Sequence, residues 1–227
     1  MTPRRRPIAM LVAAGIVFLV LMGLGVWQMQ RLAWKNDLIA RVDARVAAEP
    51  VPAPPPAEWA GLTRDVAEYR RVTVSGRYAP DSDVLVQAVT ERGSGFWVMT
   101  PLETDGGWTV LVNRGFVAAD RREDRPLPAG DQSVTGLLRM TQPDGAFLRA
   151  NDPAAGRWYS RDTQAIAATL GLSGAAPYFI DADRAGEEQP VGGLTVISFR
   201  NHHLSYALTW FAMAAGLVLL TGYALRR

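Results

Sequence analysis

Two stretches without a single charged residue, 8–27 and 206–223, lie near opposite ends of the 227-residue chain, and every Asp and Glu falls between them. As a helix rising about 1.5 Å per residue, the first reaches about 30 Å, the hydrocarbon thickness of a bilayer. The second is shorter but long enough, and Tyr206, Trp210 and Tyr223 are residues of the kind that anchor helices at the membrane interface. Arg4, Arg5 and Arg6 give the first stretch the look of a signal sequence. Its apolar run is too long for one, however, and ends in Trp27 and Gln28 rather than in small cleavage-site residues, so an uncleaved anchor is expected.

Charge sets the expected orientation. Arg4, Arg5, Arg6, Arg226 and Arg227 flank the two spans with no acid among them. The intervening loop carries the other 19 basic residues against all 22 acidic ones, a net charge of −3. Positive tails place both termini in the cytoplasm and the large loop on the far side of the membrane. Arg31, Lys35 and Arg200 lie just past the far membrane face, but a long loop is translocated largely regardless of its charge. The pI near 9.2 therefore describes the tails. The acidic loop lacks the basic surface of a nucleic-acid binder, and membrane lipid is the expected surrounding instead.

The chain divides into a tail (1–7), a first span (8–27), a helical extension (28–49), a proline-rich spacer (50–67), a β-rich outer domain (68–200), a boundary segment (201–205), a second span (206–223) and a tail (224–227). Pro50, Pro52, Pro54, Pro55 and Pro56 end the extension, because proline lacks a donor and clashes with the preceding turn. In the outer domain, short alternating runs at 71–76, 84–89, 96–101, 108–117 and 133–139 read as strands. Further candidates are 147–148, 158–159, 178–180 and 194–199. Asp105-Gly106-Gly107 is a hairpin turn signal, and Asp162 can cap a helix over 163–170 closed by Gly171. The expected class is membrane α+β: two transmembrane helices, paired as a hairpin from both chain ends, flanking a mainly antiparallel β outer domain with one or two helices.

The absence of Cys removes disulfides, thiolate metal sites and thiol redox chemistry, and two adjacent His cannot make a three-His metal site. No phosphate-cradling glycine loop or nucleophile–base set stands out, so no enzymatic activity is expected. The acid pairs Asp81/Asp83, Asp181/Asp183 and Glu187/Glu188 lie in turn-like stretches and read as solvated loop charge.

Polar chemistry gathers at the two membrane boundaries instead. On a helix turning about 100° per residue, Trp27, Arg31 and Trp34 share a face, with Gln28 and Lys35 beside it. Beyond the second boundary, His203, Tyr206 and Trp210 share another, while His202 points away. Ala212 and Gly216 form a small-xxx-small pair, expected to pack on the first helix and leave the His203 face for a cofactor or partner. A neutral imidazole suits iron or another transition metal, the Trp side chains could flank a porphyrin, and Arg31, Lys35 or Arg200 could meet propionates. Spacing alone leaves a second reading, which it favours: an aromatic and basic belt with ordinary interfacial His.

Residues 24–35, Leu-Gly-Val-Trp-Gln-Met-Gln-Arg-Leu-Ala-Trp-Lys, resemble the first signature of the Surfeit locus protein 1 family. Residues 68–72 with Gly76, residues 100–102 with 110–117, and residues 201–211 fit the same family, in order and over nearly the whole chain. The resemblance implies a bacterial membrane protein of cytochrome c oxidase (complex IV) assembly, a chaperone that receives haem a and presents it to oxidase subunit I. It also implies an iron ligand at the second span, which falls on His203. Here His202 replaces a frequent Asn and offers an alternative ligand, and Phe116 stands where Trp is common. The alternative role is a cofactor-free scaffold holding oxidase subunits or haem a synthase.

Overall fold

The computed structural model describes residues 5–143, 145–146, 149–184, 186 and 189–226, with side chains from residue 8 onward. The tail residues Arg4 and Arg227, the strand candidate Phe147–Leu148 and the acid pair Glu187/Glu188 lie outside the described residues. Two compact units result: a helical one, up to Asp43 and from Ile197 onward, and a sheet unit over Ala44–Val196.

The helical unit holds most of α1 (Arg5–Ala47) and all of α4 (His203–Arg226). Both are long and apolar enough to cross a membrane. Their large side chains face outward: Leu19, Val20, Leu219 and Leu220 are each more than half exposed. In water such a surface would be costly; in lipid it is the solvated one. Buried positions on α4 are Ala207 and Ala214, and Gly25 of α1 lies against the Phe211 ring. A Cβ on Gly25 would come within 2.4 Å of that ring. The contact face of α4 therefore runs through His203, Ala207, Phe211 and Ala214. Ala212 is exposed, and a Cβ on Gly216 would meet nothing within 4 Å, so the expected Ala212/Gly216 contact does not form. The small-residue pattern was present on both faces, and the fit of Phe211 over Gly25 selects the other one.

In the sheet unit, β2 (Arg71–Tyr78), β6 (Gln132–Met140), β7 (Ala175–Ala182), β5 (Thr109–Ala118) and β4 (Gly93–Thr104) pair in that order, and β4 pairs back to β2 to close a barrel. β3 (Val84–Thr90) extends the far half of β4. Closure brings β2 against β4 at Gly76, where a Cβ would lie 2.1 Å from the Glu103 carbonyl oxygen. Only glycine fits there. The pairing is antiparallel except that β5–β7 and the two-residue β1 (Val51–Pro52) with β2 are parallel. β5 is buried on both faces, which explains its near-continuous apolar run. Val110 and Val112 join Val72, Leu102, Leu138, Tyr178 and Ile180 on one side. Leu111 joins Val86, Met99, Trp158, Ile166 and Phe179 on the other. There α3 (Thr163–Thr169) is capped as expected, the Asp162 carboxylate accepting from the Ala165 N–H.

Two expectations are corrected. The proline-rich segment is packed rather than a free spacer: Ala53 is buried, its N–H donates to Thr73, and the Pro54 carbonyl accepts from both Trp59 Nε1 and the Tyr178 hydroxyl. Proline has no backbone N–H to leave unpaired, so these residues suit the sheet's edge. Residues 194–199 form no strand. After the cis Gln189–Pro190 bond and the left-handed Gly193, the chain crosses the sheet without laddering onto it. Trp158 contributes only an isolated bridge to Val86.

Candidate functional site

At the ends of the two apolar helices, Gln28 and His203 meet across the interhelical contact, with Oε1 2.7 Å from the imidazole Nδ1. With the amide oxygen as acceptor, a neutral imidazole donates from Nδ1 and leaves the Nε2 lone pair available. Metal-binding histidines are commonly oriented in this way, the second ring nitrogen donating to a carbonyl or carboxylate. Eight residues after Gln28 and two before His203, the Asn201 amide donates to Asn36 Oδ1 at 2.8 Å, forming a second polar clasp. The geometry moves His203 off the open face assigned to it with Tyr206 and Trp210. Tyr206 is exposed and Trp210 half-buried, while His203 turns into the contact with α1.

The cations and aromatics expected around it are partly engaged with each other. The Arg31 guanidinium lies 4.4 Å from the Trp34 ring centroid, and Lys35 Nζ lies 5.1 Å from that of Phe199. Trp27 and Trp34 are about half exposed, and Arg200 and His202 are exposed. The His202 carbonyl, rather than its ring, is employed: it accepts from the Ser205 hydroxyl. Of the nine candidate residues, the structure joins Gln28 to His203 and Arg31 to Trp34. Among the described residues no three His, Asp or Glu side chains converge as a metal-ion cage. A single imidazole serves a metal that arrives with its own equatorial ligands, as in haem.

A second polar cluster, in the sheet unit, was not foreseen. Asp181, 4% exposed, accepts from Asn113 Nδ2 (2.7 Å), Arg139 Nη1 (2.8 Å), Arg161 Nη1 (3.0 Å) and Thr195 Oγ1 (2.9 Å). Arg139 Nε also reaches Glu68 Oε1 at 2.8 Å, and Glu68 Oε2 accepts the Met140 N–H. Burial alone would lower the Arg139 pKa, but Asp181 and Glu68 outweigh it and hold it above the ordinary value. Arg161 is shifted the other way, because burial outweighs the carboxylate it shares. Asp181 is thus a buried hub and not the solvated loop charge its sequence context suggested. Asp83 is likewise engaged, at 2.9 Å from Arg114 Nη2, while Arg114 Nε donates to Thr100. Asn113 and Arg114 therefore hold strands together. The available signal was Arg139, an arginine inside the apolar run 134–140.

The SURF1 family model matches residues 15–215, which covers most of α1, the first half of α4 and the whole sheet unit. The chain belongs to the SURF1 family. Surfeit locus protein 1 of Mus musculus is 36% identical over 216 residues, covering 85% of this chain and 68% of the mouse protein. The Homo sapiens protein of that name is 36% identical over 217 residues, with 85% and 70% covered. That of Takifugu rubripes is 34% identical over 219 residues, with 85% and 87% covered. The Gln28–His203 clasp and the Asp181 hub both lie inside the family match.

Proposed function

We propose that this SURF1-family chain is a non-enzymatic, membrane-anchored chaperone of cytochrome c oxidase assembly that receives haem a and presents it to oxidase subunit I. Family membership supports the broader part, a role in cytochrome c oxidase assembly. The haem step is supported by one observation: Gln28 Oε1 lies 2.7 Å from His203 Nδ1, a contact that would orient a neutral imidazole with Nε2 available to a metal. His203 would hold the haem iron, and the haem would supply the metal centre that is handed on. Arg31, Lys35 and Arg200 are the cations available to propionates, and Trp27, Trp34, Tyr206 and Trp210 offer aromatic surface for the macrocycle. His202 is the alternative ligand. In this reading the helices cross a bacterial inner membrane with both termini cytoplasmic and the sheet unit periplasmic.

Protein co-produced with a haem a source should carry a Soret band that His203→Ala abolishes and His202→Ala spares. Gln28→Leu should weaken haem affinity about tenfold, the effect expected when a metal ligand loses its orienting partner. No Soret band in the parent protein would rule out the haem step.

A second reading is favoured by the Asn36–Asn201 clasp, which parallels Gln28–His203 without a possible iron ligand. There both pairs only fasten two helices, and the protein is a scaffold for oxidase subunits or haem a synthase. It requires that His203→Ala leave pull-down of oxidase intermediates and oxidase yield intact.

A further inference from the structure

In the sheet unit, a cavity of about 560 Å³ opens between the β3–β4 turn and the segment 193–196. That volume suits a small-molecule ligand. Its inner wall is made by Arg139 and Arg161, and Arg92 stands at the rim. Among the described residues Glu91 is the carboxylate in the lining; Asp181 and Glu68 bond to the arginines and are already engaged.

Both inner guanidiniums have donors to spare. Arg139 uses Nε and Nη1, and Arg161 uses Nε toward Gln142 and Nη1 toward Asp181; among the described residues neither Nη2 meets a protein acceptor. The Arg161 plane is fixed by the rings of Phe179 and Trp97, at 4.8 and 5.8 Å. Its lowered pKa reflects a buried positive charge that its shared carboxylate does not fully offset. An oxyanion there would gain charge-assisted bonds from a preorganised pair of donors. Apolar side chains share the outer part of the same cavity with Glu91 and Arg92. Val89 is 85% exposed and Val196 74%, unusual for valine, and Trp97 and Leu194 line the space between them and the arginines. Exposed apolar side chains grouped beside a cationic floor mark a binding surface rather than ordinary scatter.

We propose that this cavity binds a single-chain amphiphile with a carboxylate or phosphate head, the head on Arg139 and Arg161 and the chain over Trp97, Leu194, Val89 and Val196. The site is independent of the haem reading. It uses no residue of the helical unit and holds whether or not His203 binds iron.

The test uses the full-length protein in phosphatidylcholine nanodiscs with a diazirine-bearing fatty acid, mapping photoadducts by mass spectrometry. Adducts should fall on peptides spanning 89–97 and 193–196. Dodecanoate or dodecyl phosphate should compete, while dodecanol and inorganic phosphate at the same concentration should not. Arg161→Gln should lower labelling about tenfold, the worth of one lost charged hydrogen bond. Val196→Asp, at an exposed position that does not endanger the fold, should lower it through charge repulsion, and Val66→Asp elsewhere on the surface should not. Labelling confined to the helices, or indifferent to both Arg161→Gln and Val196→Asp, would overturn the proposal. So would equal competition by dodecanol, which indicates a merely apolar groove, or by phosphate, which indicates a bare anion site.

Discussion

The helical unit and the sheet unit solve opposite solvation problems with similar residues. In the sheet unit the large apolar side chains are inside, and the buried charges are paired there, around Asp181 and between Arg114 and Asp83. In the helical unit Leu19, Val20, Leu219 and Leu220 are outside. Where the helices meet, the Phe211 ring sits over Gly25 beside the small Ala207 and Ala214 and the polar Gln28–His203 pair, and the Asn36–Asn201 bond lies at the exposed end. Water drives the first arrangement through apolar burial. Lipid offers no such drive between helices, so close packing and interhelical hydrogen bonds take over. A polar pair therefore means something different in each unit. Around Asp181 it secures a core, whereas between the helices it is a large part of the contact itself.

Removing the hub should give the largest effect. Asp181→Ala leaves Arg139 and Arg161 buried without their shared carboxylate, and should destabilise the sheet unit by about 3–5 kcal/mol in denaturant unfolding. A change within about 0.5 kcal/mol, typical of surface sites, would show that the network contributes no more than exposed charge does.

Alkali should act next, and on the sheet unit. Burial, against the opposing Arg114 charge, raises the Tyr78 pKa to about 12, and burial also raises that of Tyr178. An unfolded tyrosine ionises near pH 10, so above that the unfolded state binds fewer protons and stability falls. The contribution is complete below about pH 10 and is lost as pH climbs toward 12, about 2–3 kcal/mol for Tyr78. Unfolding measured against pH should show this slope, and Tyr78→Phe should flatten it.

The helical unit should respond to shape rather than charge, and more weakly. Gly25→Leu forces the helices apart at Phe211 at a cost of about 1–2 kcal/mol, whereas Gly216→Leu meets nothing and should be neutral. Because the chain has no native Cys, cross-linking of an Asn36→Cys/Asn201→Cys pair reads the contact directly. Equal cross-linking in both glycine variants would mean that the Phe211 contact does not set the helix pairing.

Much of this was legible residue by residue. The Asp-Gly-Gly turn joins β4 to β5, Asp162 caps α3, and six of the strand candidates became strands, because turn chemistry, capping and alternation are local properties. The misreadings share a cause. Asp181 sits in an Asp-rich context that looks solvated, yet its partners come from positions 113, 139, 161 and 195. Residues 50–56 read as a spacer because prolines discourage helix and sheet, and nothing local tells that the Pro54 carbonyl will be claimed by Tyr178. His203 and Gln28 were both picked out as candidates, but their pairing needed the rotation of each helix about its axis.

The sequence by itself determined that two lipid-length apolar segments enclose a strand-rich acidic domain, that thiol chemistry is absent, and that imidazole occurs in one place. Each of these is a sum over neighbouring residues. Only the tertiary structure decided which face of α4 meets α1, which nitrogen of His203 faces Gln28, and that four distant side chains converge on Asp181. Hydrogen bonds act over about 3 Å between atoms that chain separation does not locate, so they are fixed only once the helices have packed and the barrel has closed.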